Sequence, residues 1–213
     1  MNALIDLLAA VKVMPVLTIH TPDEAVAVCR ALQAGGINAV EITLRTPAAR
    51  EAIVTVQAEL PDFIVGVGTV KSVADMESVA SLGVAFAVSP GFTRKLSDCA
   101  FATKVPLLPG ISTASELMEG MDAGRSFFKF FPAEAAGGIA MLKALAAPFP
   151  EVRFCPTGGI TSGNFRDYLA LPSVVCVGGS WMVAPEIIKR ADWAGVERRA
   201  RDCAGTTPAA TAD

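Results

Sequence analysis

Histidine occurs once in this chain, at position 20, and no Cys/His/Asp grouping has the spacing of a metal-ligand set. A metal-dependent mechanism is disfavoured on that count, and acid–base chemistry falls to a carboxylic acid or a lysine. The five cysteines (Cys29, Cys99, Cys155, Cys176, Cys203) are odd in number and form no C-x-x-C pair. They sit mostly among apolar residues, as small hydrophobes do, which points to a reducing compartment and against a disulfide framework. Charged residues make up only 18% of the chain, the formal net charge is −3, and Lys and Arg are scattered. That leaves no electrostatic footprint for nucleic acid or anionic lipid. No apolar run approaches the ~18 residues that a membrane span needs. The stretch from Met1 to Leu17 is apolar but is interrupted by Asp6 and Lys12 and carries no basic leader. It reads as an amphipathic helix followed by a strand, not as a signal peptide, and the expected location is cytoplasmic.

What is present is a supply of core. Of 213 residues, 52% are hydrophobic, enough for one domain of moderate size. Short apolar runs recur at Val13–Thr18, Ala39–Leu44, Phe63–Gly68, Val84–Ser89, Val105–Leu108, Phe127–Phe131, Val152–Cys155 and Val174–Val177. Helical periodicity fills most gaps between them. Thr21-Pro22-Asp23-Glu24 predicts a capping box with proline in the first turn, and Ala25, Val28, Cys29 and Leu32 form the inward face before Gly35-Gly36. Thr46-Pro47 opens a second helix, with Ala49, Ile53, Val56 and Leu60 inward and Pro61 as its stop. Thr113-x-x-Glu116 opens another, with Leu117, Met118 and Met121 inward and Gly124 beyond. Eight strands alternating with seven or eight helices describe a single (β/α)8 TIM barrel with an extra N-terminal helix, over residues 1–203. An open doubly wound sheet is the alternative that alternation alone leaves standing. Residues 204–213, small and proline-containing, are expected to be a disordered C-terminal tail.

Lys129 is flanked by two phenylalanines on each side, in Phe127-Phe128-Lys129-Phe130-Phe131. An ammonium ion loses hydration there, which favours the neutral amine, a nucleophile towards ketones. The other reading is a strand-end lysine that snorkels to water. Period two along the sixth strand puts Phe127, Lys129 and Phe131 on one face and Phe128 and Phe130 towards the helices. On the second strand the same period groups Glu41, Thr43 and Arg45. Either Glu41 and Arg45 form a buried ion pair that settles each other, or Glu41 is a general acid/base and Arg45 a carboxylate clamp.

Glycine marks the remaining strand ends. Gly66-Val67-Gly68-Thr69 allows close backbone approach and offers a hydroxyl, but lacks the third glycine of a dinucleotide motif. Thr157-Gly158-Gly159 and Gly178-Gly179-Ser180 close the seventh and eighth strands alike. Paired glycines ahead of a helix start present N–H groups to an anion, so the two loops suggest a phosphate site; simple tight turns are the plainer explanation. Pro90-Gly91 and Pro109-Gly110 read first as turns, with Pro90 also near the site. Trp181 and Trp193 read as packing residues, and Arg198, Arg199 and Arg201 as a solvated helix end.

Taken together, Glu41-Ile42-Thr43-Leu44-Arg45-Thr46, Gly66-x-Gly68-Thr69, Ser89-Pro90-Gly91, Pro109-Gly110-Ile111-Ser112-Thr113, Phe128-Lys129-Phe130-Phe131-Pro132-Ala133-Glu134, Pro156-Thr157-Gly158-Gly159-Ile160 and Gly178-Gly179-Ser180-Trp181 resemble the 2-keto-3-deoxy-6-phosphogluconate (KDPG) aldolase / 4-hydroxy-2-oxoglutarate aldolase family. The resemblance runs from about Val13 to the last helix. It implies a class I aldolase on a (β/α)8 barrel, metal-free and homotrimeric, cleaving the phosphorylated keto acid to pyruvate and glyceraldehyde 3-phosphate in sugar-acid catabolism of the Entner–Doudoroff type. It also implies that Lys129 is the Schiff-base lysine and Glu41 the general acid/base. Arg45 and Thr69 would hold the pyruvate carboxylate, with Pro90 and Phe131 lining the pocket. Thr157 would influence stereochemistry, and Gly158, Gly159, Gly179 and Ser180 would cradle the phosphate. A sugar-phosphate isomerase or epimerase using Glu41 without covalent chemistry, and a silent phosphosugar-binding module, are the rival readings.

Overall fold

The computed structural model of the chain describes residues 3–205. The chain opens with helix α1 (Ala3–Val11) and then alternates: β1 (Val13–Leu17), α2 (Pro22–Ala34), β2 (Ala39–Thr43), α3 (Ala49–Glu59), β3 (Ile64–Gly68), α4 (Val73–Ala80), β4 (Phe86–Val88) and α5 (Arg94–Thr103). There follow β5 (Leu107–Leu108), β6 (Gly110–Ile111), α6 (Ala114–Asp122), β7 (Phe127–Phe130), α7 (Gly138–Ala146), β8 (Arg153–Pro156), α8 (Phe165–Leu169) and β9 (Val177–Gly179). A short 3-10 turn over Trp181–Val183 leads into α9 (Pro185–Lys189) and α10 (Trp193–Ala204). The tail expected over residues 204–213 begins inside α10 at Ala204, because the helix carries one residue further; positions 206–213 lie outside the described residues.

All strand pairs are parallel. They form a six-stranded curled sheet in the order β5-β4-β3-β2-β1-β9 and a three-stranded sheet in the order β6-β7-β8. β5 and β6 are one extended segment broken only at Pro109, which has no N–H to give to a ladder. The Pro109-Gly110 pair is therefore not the turn that its composition suggests. Single parallel bridges, Phe154 to Val174 and Thr157 to Gly178, join the other edges of the two sheets.

Alternation along the strands sorts the apolar residues into two layers. Val40, Ile42, Val65, Val67, Phe128, Phe130 and Phe154 face the helices, whereas Met14, Ala39, Phe86, Leu108, Phe127, Cys155 and Cys176 fill an interior that both sheets enclose. Leu4 and Leu8 of α1 belong to that inner cluster, so the first helix covers the end of the interior where the strands begin.

Helix starts follow the sequence with instructive exceptions. Thr21 Oγ1 accepts from the Glu24 N–H at 3.2 Å, and Glu24 Oε2 accepts from His20, one residue further back than a capping box requires. Thr113 and Glu116 form the complete box. Thr46 is not a cap: its hydroxyl donates to the Ile19 carbonyl, and α3 begins only at Ala49. Met118, expected inward, is 55% exposed, because the buried face of α6 runs through Leu117 and Gly120 and position 118 is rotated about 100° off that line. The eighth strand is displaced C-terminally from the expected Val174–Val177 to Val177–Gly179, where it pairs with Val13–Pro15 of β1. Gly178 and Gly179 are thus strand residues rather than a turn. A side chain at 178 would meet Thr157 Oγ1 at 2.5 Å, and one at 179 would enter the Trp181 ring.

Candidate active site

β7 is buried along its length, and its alternation anchors one amine. Phe128 and Phe130 are fully buried against the helix layer, which commits Lys129 between them to the interior. Backbone hydrogen bonding fixes its height: the Lys129 N–H donates to the Pro109 carbonyl at 2.8 Å, and the residue sits in register with Gly110 and Cys155. Lys129 is only 6% exposed. Its Nζ lies 3.4 Å from Glu41 Oε1 and 5.2 Å from the Phe131 ring centroid. The snorkelling alternative is thereby removed.

Glu41 comes from β2, where every residue is buried. The ion pair with Arg45 that strand alternation allowed is not the one the structure forms. Glu41 pairs with Lys129, and Arg45, two residues past the end of β2, is exposed. A buried carboxylate needs such a partner because desolvation alone is costly. It also needs room. The Glu41 side chain lies directly over the Cα of Gly68, and any Cβ there would collide with Oε1. Thr43, the next inward residue of β2, donates to the Leu17 carbonyl at 2.9 Å and stands 3.1 Å from the Thr18 hydroxyl. Nearby, the hydrogen bond with Cys155, and then burial, hold the Cys176 thiol well above its ordinary range.

A cavity of about 320 Å³ opens at the C-terminal ends of the strands; Lys129 and Glu41 are not on its wall, and the nearest link is Phe131, which lines it and has its ring centroid 5.2 Å from Lys129 Nζ. Seven of the expected residues line it: Arg45, Phe131, Thr157, Gly158, Gly159, Gly179 and Ser180. Thr69 and Pro90 are not on its wall; they follow the ends of β3 and β4. Thr69 has φ 65°, a left-handed conformation unusual for a β-branched residue and of the kind that concentrates at functional sites. Gly158 and Gly159 also have positive φ, 98° and 79°, which glycine alone adopts without strain. Neither glycine pair heads a substantial helix. α8 starts six residues after Gly159 and has only five residues, and a 3-10 turn follows Gly179. The helix start expected directly after each glycine pair is therefore not there, and an anion would meet backbone N–H groups and the Ser180 hydroxyl without the help of a helix dipole. Ile160, the last residue of the Pro156-Thr157-Gly158-Gly159-Ile160 motif, completes the wall together with Val16, Thr18, Val183 and Pro185, which no sequence motif marks. Thr18, a polar residue closing an apolar run, carried the same signal as Thr69.

Among the described residues, no group of three or more His, Cys, Asp or Glu could hold a metal ion, and no helix is long and apolar enough to cross a membrane. What the arrangement offers chemically is a buried amine beside a carboxylate, close to a cavity with a guanidinium at one side and backbone amides at the other. That is the equipment for capturing the carbonyl of an anionic keto acid.

The model of the KDPG and KHG aldolase family matches residues 4–199. A 2-dehydro-3-deoxy-phosphogluconate aldolase of Dickeya dadantii is 50% identical over 203 residues, 95% of each chain. Among solved structures, the KDPG aldolase of Legionella pneumophila, which holds pyruvate captured at low pH as a covalent carbinolamine intermediate, superposes with TM-score 0.90 at 46% identity, covering 92% of this chain and 96% of that one. The 2-keto-3-deoxy-6-phosphogluconate aldolase of Zymomonas mobilis ZM4 with 3-phosphoglycerate gives TM-score 0.92 at 43% identity over the whole of both chains. With its amine, carboxylate and cavity placed as described and these relatives spanning nearly its full length, the chain belongs to the KDPG and KHG aldolase family.

Proposed function

We propose that the protein is a class I aldolase that cleaves 2-dehydro-3-deoxy-6-phosphogluconate to pyruvate and glyceraldehyde 3-phosphate, and that it also accepts 4-hydroxy-2-oxoglutarate. The observation that carries this reading is the burial of Lys129 Nζ within 3.4 Å of Glu41 Oε1 close to the cavity. A nucleophile and a proton acceptor in one desolvated spot suit imine chemistry and leave an epimerase reading without a task for the lysine.

Lys129 transfers a proton to Glu41, and its nitrogen adds to the C2 carbonyl carbon to give a carbinolamine. Loss of hydroxide as water, with the proton supplied by Glu41, leaves a cationic imine. Glu41 then takes the proton of the C4 hydroxyl, directly or through a water. The C3–C4 bond breaks, its electron pair entering the iminium to form an enamine, and the aldehyde departs. Protonation of the enamine at C3 and addition of water at C2 release pyruvate and restore the amine.

In this reading Arg45 and Thr69 hold the substrate carboxylate, and Arg45 suits that task because its fork matches two carboxylate oxygens. Phe131 and Pro90 confine the keto acid, and Thr157 faces the aldehyde-derived carbon. The backbone of Gly158, Gly159 and Gly179 with Ser180 receives the phosphate. The 3-phosphoglycerate held by the Zymomonas relative is a ligand of the same charge class. The two sheets act as one closed eight-stranded barrel over residues 1–203, a reading supported by the shared interior cluster and the bridges at the sheet edges. Homotrimeric assembly and a cytoplasmic location belong to the same proposal, and sedimentation of the purified chain measures the first.

Incubation with pyruvate and borohydride tests the chemistry. The expected product is a stable adduct on Lys129, seen as a mass increase on its peptide and lost in Lys129→Arg. Adduct formation elsewhere, or full turnover by the Lys129→Arg variant, overturns it.

A further inference from the structure

The chain's single tyrosine, Tyr168 in α8, has its ring fully buried, and its hydroxyl donates a hydrogen bond to Glu134 Oε1. Burial, then the bond to Glu134, pushes the phenol's proton affinity up, so the group remains a donor at neutral pH. Glu134 stands four residues past β7, on the connection that also carries Phe131. Its backbone N–H donates to the Gly158 carbonyl at 3.0 Å, and that of Ala133 donates to the Thr157 carbonyl at 2.8 Å. From there the Glu134 side chain runs along the back of Gly159, where an added Cβ would meet its Cβ and Cγ at 2.5 Å. On the other side, Asn164 Nδ2 donates to the Gly159 carbonyl at 3.2 Å, and Asn164 Oδ1 accepts from the Thr161 N–H at 2.8 Å.

A carboxylate is an odd neighbour for a loop that receives a phosphate, since two anions close together repel. Tyr168 accounts for it by holding the acid's Oε1 beside Gly138, and neither Glu134 nor Tyr168 is among the residues that line the cavity. We infer that Tyr168 and Glu134 are a positioning pair for phosphate recognition: their hydrogen bond clasps the Gly158-Gly159 loop between the β7 connection and α8 and holds a negative charge out of the cradle. This rests on the reading of that loop as the phosphate subsite.

The test compares the wild type with Tyr168→Phe, which keeps the ring, and with Glu134→Ala, which changes an exposed residue and so tests the pair even if the first variant folds poorly. Three quantities are measured: KM and kcat for the phosphorylated keto acid, calorimetric affinity for glycerol 3-phosphate, and the rate of pyruvate–borohydride capture. A lost hydrogen bond that only positions the loop should raise KM about tenfold and weaken glycerol 3-phosphate by the same factor, with kcat and capture within about twofold. Glu134→Gln, which retains an acceptor oxygen and the methylenes against Gly159, should recover phosphate affinity to within about threefold. Unchanged glycerol 3-phosphate binding in both disrupting variants overturns the inference. So does a parallel loss of kcat, capture and thermal stability, which would make the pair merely structural. Failure of the wild type to capture pyruvate would instead defeat the aldolase chemistry, and the glycerol 3-phosphate comparison would still decide the role of the pair.

Discussion

Glu41 and Lys129, 88 positions apart in sequence, meet at 3.4 Å inside the strand layer, and both are almost wholly withdrawn from water. Proximity of this kind lets a proton pass between amine and carboxylate without crossing solvent, and it puts the acceptor beside every bond that an imine at Lys129 would form or break. Replacing Glu41 by Gln keeps the shape and removes the proton acceptor. Turnover of the phosphorylated keto acid should fall about 10²–10⁴-fold, the usual contribution of a positioned acid–base group. Lys129 should still be captured by pyruvate and borohydride, more slowly. A variant that turns over at the wild-type rate would remove Glu41 from the mechanism.

Gly68 makes that meeting possible. Its Cα forms the wall against which the Glu41 carboxylate rests. In Gly68→Ala the new methyl group would occupy the place of Oε1, and the neighbour cannot retreat, since β2 is buried throughout. We expect a stability loss of about 1–3 kcal/mol from overpacking. The displaced acid should cost about 10²-fold in kcat, as misplacement of a reacting group by an ångström does. Denaturant titration and steady-state kinetics on one preparation check both figures.

Cys29 links the helix layer to alkaline stability. Burial in α2 pushes its thiol from 9.0 to about 12. The unfolded chain releases this proton near its ordinary range while the folded chain holds it. Stability from this group is therefore complete below about pH 9 and is lost as pH rises towards 12. Across that window the wild type should lose about 1.4 kcal/mol more per pH unit than Cys29→Ala. Equal slopes in urea-unfolding series at pH 9.5 and 10.5 would contradict this account.

Much of the site was legible because strand alternation and chemistry agree. Four phenylalanines around one lysine fix which face of β7 is apolar on both sides, and the amine follows. The partner of Glu41 was not legible from its own strand. Arg45 shares the face of Glu41 in sequence, but β2 ends at Thr43, so the guanidinium swings out to the cavity rim and the charge is matched from across the interior. The eighth strand lies further along than local composition suggests, since Val174 and Val175 look more strand-like than two glycines. Close packing on Thr157 and Trp181 outweighed that local preference. Glu134 closes the lysine motif, but nothing in the sequence couples it to Tyr168, since a hydrogen bond between a short helix and a loop has neither period nor motif.

Leu4 and Leu8 pack into the apolar cluster at the end of the interior where the strands begin, while the cavity lies at the opposite end, where they finish. In the proposed reaction, substrate and water therefore approach Lys129 from the cavity side. The water that splits the pyruvyl imine then comes from the same side towards which the aldehyde departs, and a phosphorylated aldehyde retained in the cavity would stand between that water and the imine.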